Sequence, residues 1–160
     1  MQKARLYWLI AAIVLALLLI LQWTIKDTSI DKRQLLLDAA TEGNKQQVQQ
    51  LIAEEIDPNY QGVAYGSALL YAAGNGHLEI VKFLIEKGAN VNIRNGFDTT
   101  PLISAASNGH DEIVQLLIEK GADISLREIT GDTAYKVALK NGHIKTAAVI
   151  AKYCPNQKCE

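Results

Sequence analysis

The chain carries little of the chemistry from which active sites and metal centres are assembled. Of 160 residues, two are cysteine and three are histidine, and they form no ligand cluster. No P-loop and no Ser-His-Asp arrangement is present. The nearest approach to a phosphate-cradling loop, Gly74-Asn75-Gly76, lacks the strand-then-helix setting of a dinucleotide site and reads as a turn between helices. Positive charge is scarce as well. The whole chain has a net charge of −1, and residues 27–160 carry 13 Lys and Arg against 17 Asp and Glu, a net −4. That balance argues against nucleic acid as a partner and against a polybasic grip on anionic lipid. No catalytic residue, cofactor, metal or small-molecule substrate is therefore assigned, and the chain is not read as an enzyme.

What is present in quantity is apolar sequence at the N-terminus. Leu6 to Leu21 is sixteen apolar residues without a break, LYWLIAAIVLALLLIL. Extended to Ile25 it would rise about 30 Å as a helix, which matches a bilayer core. Tyr7, Trp8 and Trp23 sit where interfacial aromatics belong. A cleaved signal peptide has a shorter apolar region followed by small residues, whereas Gln22-Trp23-Thr24-Ile25-Lys26 follows here. The expectation is a tail at 1–5, an uncleaved transmembrane helix at 6–25 and a polar linker at 26–32.

Beyond the linker the sequence repeats itself. Ala72–Asn92, AAGNGHLEIVKFLIEKGANVN, recurs at Ala105–Ser125 as AASNGHDEIVQLLIEKGADIS, with fourteen of twenty-one positions identical. Further copies fall in register at Ala39-Ala40-Thr41-Glu42-Gly43-Asn44 and at Ala138-Leu139-Lys140-Asn141-Gly142-His143. A repeat of this length implies a solenoid, in which each unit buries its apolar face only by stacking on its neighbours.

Within a unit each recurring residue has a local reason. Ser67, Thr100 and Thr133 suit an N-cap, followed at Pro101 by proline in the first turn. Leu102, Ala105 and Ala106 make a short helix that a neighbour can approach closely, and Gly109 permits positive φ in the turn after it. Ile113, Val114, Leu117 and Ile118 repeat at the spacing of one buried helical face, and Lys120-Gly121 suits that helix's C-terminus. Each unit is read as two antiparallel helices and a projecting turn.

At these residues the chain resembles the ankyrin-repeat family. Thr100-Pro101-Leu102-Ile103-Ser104-Ala105 is similar to its T-P-L-H-x-A signature, and Asn108-Gly109-His110, Ile113-Val114-Gln115-Leu116-Leu117 and Gly121-Ala122-Asp123 continue the pattern. Ile103 and Leu70 replace the motif histidine, Ala68 and Ala134 its proline, and Glu55-Ile56 the Gly-Ala of the first unit. The expected fold class is all-α: an ankyrin-repeat solenoid of about four units, at 33–66, 67–99, 100–132 and 133–153, preceded by one transmembrane helix and followed by a tail at 154–160. His77, His110 and His143 occupy one position of the period, one ring per unit. Stacked units lie roughly a helix diameter, about 10 Å, apart, too far for imidazoles to share a metal, so these rings are read as hydrogen-bonding groups in the turns between helices. Glu79, Lys82, Glu86, Glu112, Gln115 and Glu119 read as a solvated face.

The resemblance implies another protein as partner, bound through the projecting turns and the concave face of the first helices. Tyr60, Tyr65, Arg94, Phe97 and Arg127 fall in the turns, and Tyr71, Ser104 and Val137 share one variable position on the first helices. Aromatic and arginine side chains are the usual interface anchors, although Tyr65 and Phe97 could equally pack over neighbouring units. Cys154 and Cys159 lie together in CPNQKC as a disulfide, two free thiols or half of a metal site. For orientation, Lys3 and Arg5 before the helix oppose Lys26, Lys32 and Arg33 after it, a count that the free α-amino group brings level. The resemblance of the N-terminus to a retained export signal and the cysteine pair then place the repeats outside. The expected protein is bacterial, single-pass in the inner membrane with the repeats in the periplasm, and serves as a membrane-tethered interaction module. The alternative is an inhibitor or immunity-type protein that blocks a periplasmic enzyme or toxin.

Overall fold

The computed structural model describes residues 13–18, 32–62, 65–154 and 159. Within them the repeat period becomes a stack of helix pairs: α1 (32–42), α2 (Lys45–Ala53), α3 (Ala68–Gly74), α4 (Leu78–Glu86), α5 (Pro101–Ser107), α6 (Asp111–Glu119), α7 (Ala134–Lys140) and α8 (Ile144–Ala151). Three of the inner helices start at a buried hydroxyl. Ser67 accepts a hydrogen bond from the Leu70 amide, Thr100 from that of Ile103 and Thr133 from that of Lys136, which satisfies donors the helix itself leaves open.

Two layers follow from side-chain size. The inner layer packs α3 on α5 and α5 on α7; the outer layer packs α4 on α6 and α6 on α8. Ala72, Ala73, Ala105, Ala106 and Ala138 are fully buried, and their small side chains let inner helices come close. The outer helices contribute Ile80, Val81 and Leu84, then Ile113, Val114 and Leu117, then Ala147 and Ile150, to a core continuous with Leu36, Leu37, Val48 and Leu51 of the first pair. Chain geometry overrides residue preference in that first pair: Glu55 takes φ 63° where Gly88 and Gly121 take 87° and 90°.

Histidine begins α4, α6 and α8 without capping its own helix. Instead the ring reaches back to the unit before. The Nε2 of His77 donates to the Thr41 carbonyl at 3.0 Å, and that of His110 to the Gly74 carbonyl at 2.9 Å. At the far end of the stack Cys154 and Cys159 are joined as a disulfide with Cα atoms 5.3 Å apart, and the Thr133 hydroxyl donates to the Cys159 carbonyl at 3.1 Å.

The N-terminal expectation is corrected. Of the span 6–25 the structure describes 13–18, a helical stretch with exposed Ile13, Val14, Leu15, Leu17 and Leu18. The rest of that span, the 1–5 tail and residues 26–31 lie outside the described residues. Lys32, expected as the end of the linker, lies within α1. Among the described residues no helix is long and apolar enough to cross a membrane. Leu36, Leu37, Ala39 and Ala40 of α1 are committed to the repeat core. The fold class is therefore an all-α repeat stack to which the described residues add no transmembrane helix. The single-pass, inner-membrane, periplasm-facing placement that rested on that helix is withdrawn with it.

Candidate partner-binding face

Three fingers project between the helix pairs, and each is closed by the same bonds. The Gly62 amide donates to the Gly66 carbonyl, that of Asn95 to Thr99 and that of Glu128 to Asp132, at 3.0 to 3.1 Å; Tyr65, Asp98 and Gly131 close the inner turn at 2.8, 3.0 and 2.8 Å. That inner position is left-handed in every finger, with φ of 56° at Tyr65, 58° at Asp98 and 85° at Gly131. Asn95 fixes the second finger further, its side-chain oxygen accepting from the amides of Phe97 and Thr99 at 2.9 Å each.

Asparagines tie the bases of the fingers into a row. The Asn59 side chain accepts from the Asn90 amide at 2.7 Å and donates to the Gly88 carbonyl at 3.1 Å. One unit on, Asn92 accepts from the Asp123 amide at 2.8 Å and donates to the Gly121 carbonyl at 3.2 Å. Gln61 donates to the carbonyls of Tyr65 and Arg94. The Ile129 amide donates to the Phe97 carbonyl at 3.0 Å. The fingers are thus held to one another as well as to themselves.

On this frame the expected contact residues separate. Tyr65, at the inner position of the first finger, and Phe97 on the second are each 62% exposed, and Ile129 is 67% exposed on the third. Arg94 and Arg127 are exposed but held locally, Arg94 by Asp98 at 3.2 Å and Arg127 by the Gly131 carbonyl at 2.8 Å. Tyr60 does not project. Its ring is half-buried against the core with the Arg33 guanidinium 5.6 Å from its centroid, so it props the first finger against α1. The Tyr71 ring lies across Gly66, where an added Cβ would come within 2.2 Å of its hydroxyl.

Ser104 and Val137 share a groove of about 330 Å³ between α5, α7 and the fingers, with Thr99, Glu128, Asp132 and Lys140 at its edge. Ser104 is half-buried there, and Val137, at 9% exposure, is part of its floor. The Lys140 ammonium, with Thr130 adding a second hydrogen bond, holds the Asp132 carboxyl below the usual carboxylate range. Among the described residues no group of three His, Cys, Asp or Glu could hold a metal ion, and the groove sets polar edges around a small apolar floor.

Four residues of this face and its frame escaped sequence reasoning. Ile129 lies in a finger of different composition from Phe97, and only alignment of the turns picks it out. Asp38 holds the repeat position of Tyr71 one unit earlier, a register that could have found it; it is exposed on α1 and accepts from Gln34 at 2.9 Å. Asn59 and Asn92 also recur at the repeat spacing, but their partners lie in the next unit.

The family model for ankyrin repeats in three copies matches three overlapping stretches, residues 10–95, 35–128 and 69–159. The chain belongs to the ankyrin-repeat family. Its helix pairs, glycine turns and fingers are the parts of ankyrin units, and ankyrin repeats are in general protein–protein interaction modules. The first match reaches back to residue 10, inside the apolar run. Among curated proteins none matches the chain.

Proposed function

We propose that this ankyrin domain binds a protein partner on the face formed by the fingers and the groove beneath them, with Tyr65, Phe97 and Ile129 as apolar anchors. The observation that carries this reading is Tyr65. A bulky side chain in the left-handed region costs roughly 1–2 kcal/mol, and this one is 62% exposed with φ 56°, at the position Gly131 fills in another finger. Strain held where it adds nothing to the core is a mark of a functional contact. Large, rigid aromatic side chains at locked turns also lose little entropy when a partner covers them.

The test uses Tyr65→Gly. Glycine relieves the left-handed strain but loses more chain entropy on folding, so stability should rise by about 0–1 kcal/mol. Capture of partner protein, measured by quantitative mass spectrometry on immobilised domain, should fall at least about tenfold, the loss of one hot-spot side chain. Phe97→Ala and Ile129→Ala should act in the same direction, while Ile144→Ser, an exposed apolar site on α8 away from the fingers, should leave capture unchanged. Equal capture by Tyr65→Gly and the parent chain would remove the fingers from the binding face.

A further inference from the structure

Among the described residues the pair of α7 and α8 has stacked helices on one side only, α5 and α6. Leu139 is 41% exposed at the repeat position where Ala106 is 0% exposed, and a Cβ added to Gly142 would meet nothing within 4 Å. At one place, however, the end is covered. Cys154 lies three residues past the end of α8, while Cys159 reaches the start of α7, where its carbonyl accepts from the Thr133 hydroxyl at 3.1 Å. Both cysteines are buried and belong to the core cluster. Thr133 therefore has two tasks: its oxygen accepts weakly from the Lys136 amide at 3.4 Å, and its proton is engaged by Cys159. In the inner units Ser67 and Thr100 cap their helices at 3.2 Å, and the Thr100 helix α5 has helices stacked on both sides.

We infer that the Cys154–Cys159 disulfide is a releasable clamp: oxidised, it pins Cys159 onto the N-terminus of α7, and reduced, it lets the pair of α7 and α8 loosen. The chemistry balances as thiol–disulfide exchange. A dithiol reductant gives two electrons and two protons, the bond between the two cysteine sulfurs breaks to a pair of thiols, and the reductant closes to its own disulfide. The contact at Thr133 adjoins the base of the third finger, where Thr133 pairs with Arg127, but the clamp is argued from the disulfide and this hydrogen bond and not from partner binding.

Hydrogen exchange on the full chain tests it, with and without dithiothreitol. Opening at one end of a repeat array is local, so reduction should speed exchange across α7 by about tenfold and leave α3 and α5 unchanged as internal references. Cys154→Ser/Cys159→Ser should match the reduced protein and ignore the reductant. Thr133→Val separates the clamp from general loosening: once the donor to Cys159 is gone, reduction should add less than about twofold, because the two changes break one contact. Equal α7 exchange in oxidised and reduced protein would overturn the clamp, as would full alkylation of both cysteines without prior reduction. Additive effects of Thr133→Val and reduction would overturn the hydrogen bond as its means.

Discussion

Missing methyl groups let one ankyrin unit rest on the next. Gly76 turns the chain at φ 83°, and a Cβ there would lie 2.7 Å from the Cε1 of His110, whose ring is tied to the Gly74 carbonyl. Gly142 turns at φ 80° with open space around it. The two glycines thus share a backbone demand and differ in a steric one. Gly142→Ala should cost about 1–2 kcal/mol, the left-handed penalty alone, and Gly76→Ala about 1–3 kcal/mol more, because the ring must leave its hydrogen bond or the units must part. Urea denaturation of both variants decides this, and equal losses would show that His110 yields freely. The need for positive φ was legible in the sequence, as argued for Gly109. The steric need was not, since it arises from a ring of the next unit that meets the glycine only after stacking.

At the scale of elements the contacts between units are short polar bridges laid over an apolar core. Between α6 and α8 the bridge is Asp111, which accepts from the buried Thr146 hydroxyl at 2.6 Å and from Lys145 at 2.7 Å. The Lys145 ammonium first, and then the Thr146 hydroxyl, hold its carboxyl below the usual carboxylate range. A carboxylate whose folded pKa is depressed adds stability above its unfolded value, about 3.9, and that addition is lost as pH falls through the folded value. Asp111→Asn should therefore unfold at lower urea than the parent at neutral pH, with the gap narrowing as pH falls below about 4. Glu54, Glu79, Asp123 and Asp132 are shifted in the same direction, so the difference between the two proteins, not the parent curve alone, is the quantity to follow. A gap that persists unchanged at low pH would assign the loss to packing. The caps, helix pairs and fingers behind these bridges could be read from Thr100-Pro101, from the glycine turns and from the apolar spacing in Ile113–Leu117. The site was less legible. Tyr60 and Phe97 look alike as aromatic residues in turns, and only the packing of Arg33 over one and the Asn95 bonds under the other separate a prop from an exposed ring.

For the molecule as a whole, a composition rule and a repeat rule competed for the N-terminus. An unbroken apolar run satisfies the length test for a bilayer span, and that test does not ask what the following helix packs against. In the structure α1 begins at or before residue 32 and places Leu36, Leu37, Ala39 and Ala40 in the core of the first pair. From there on the stack is quasi-one-dimensional, and its stability is a sum of unit and interface terms. A break inside it should therefore spread to both sides, unlike the local opening expected at the α7 end. Leu117, fully buried on α6 of an inner unit, faces its own pair and the neighbours packed on it; Leu117→Ala should cost about 2–5 kcal/mol. Glu119 on the same helix is exposed and accepts from Gln115 at 2.9 Å, so Glu119→Ala should change stability by no more than about 0.5 kcal/mol. Native-state hydrogen exchange adds the spatial readout. In Leu117→Ala the amides of α3 and of α7 should both exchange faster, although the substitution lies in neither, because the interfaces that hold them share α5 and α6. In Glu119→Ala neither should change. Acceleration confined to α6 would mean that the units unfold independently and that stacking does not carry the stability of the array.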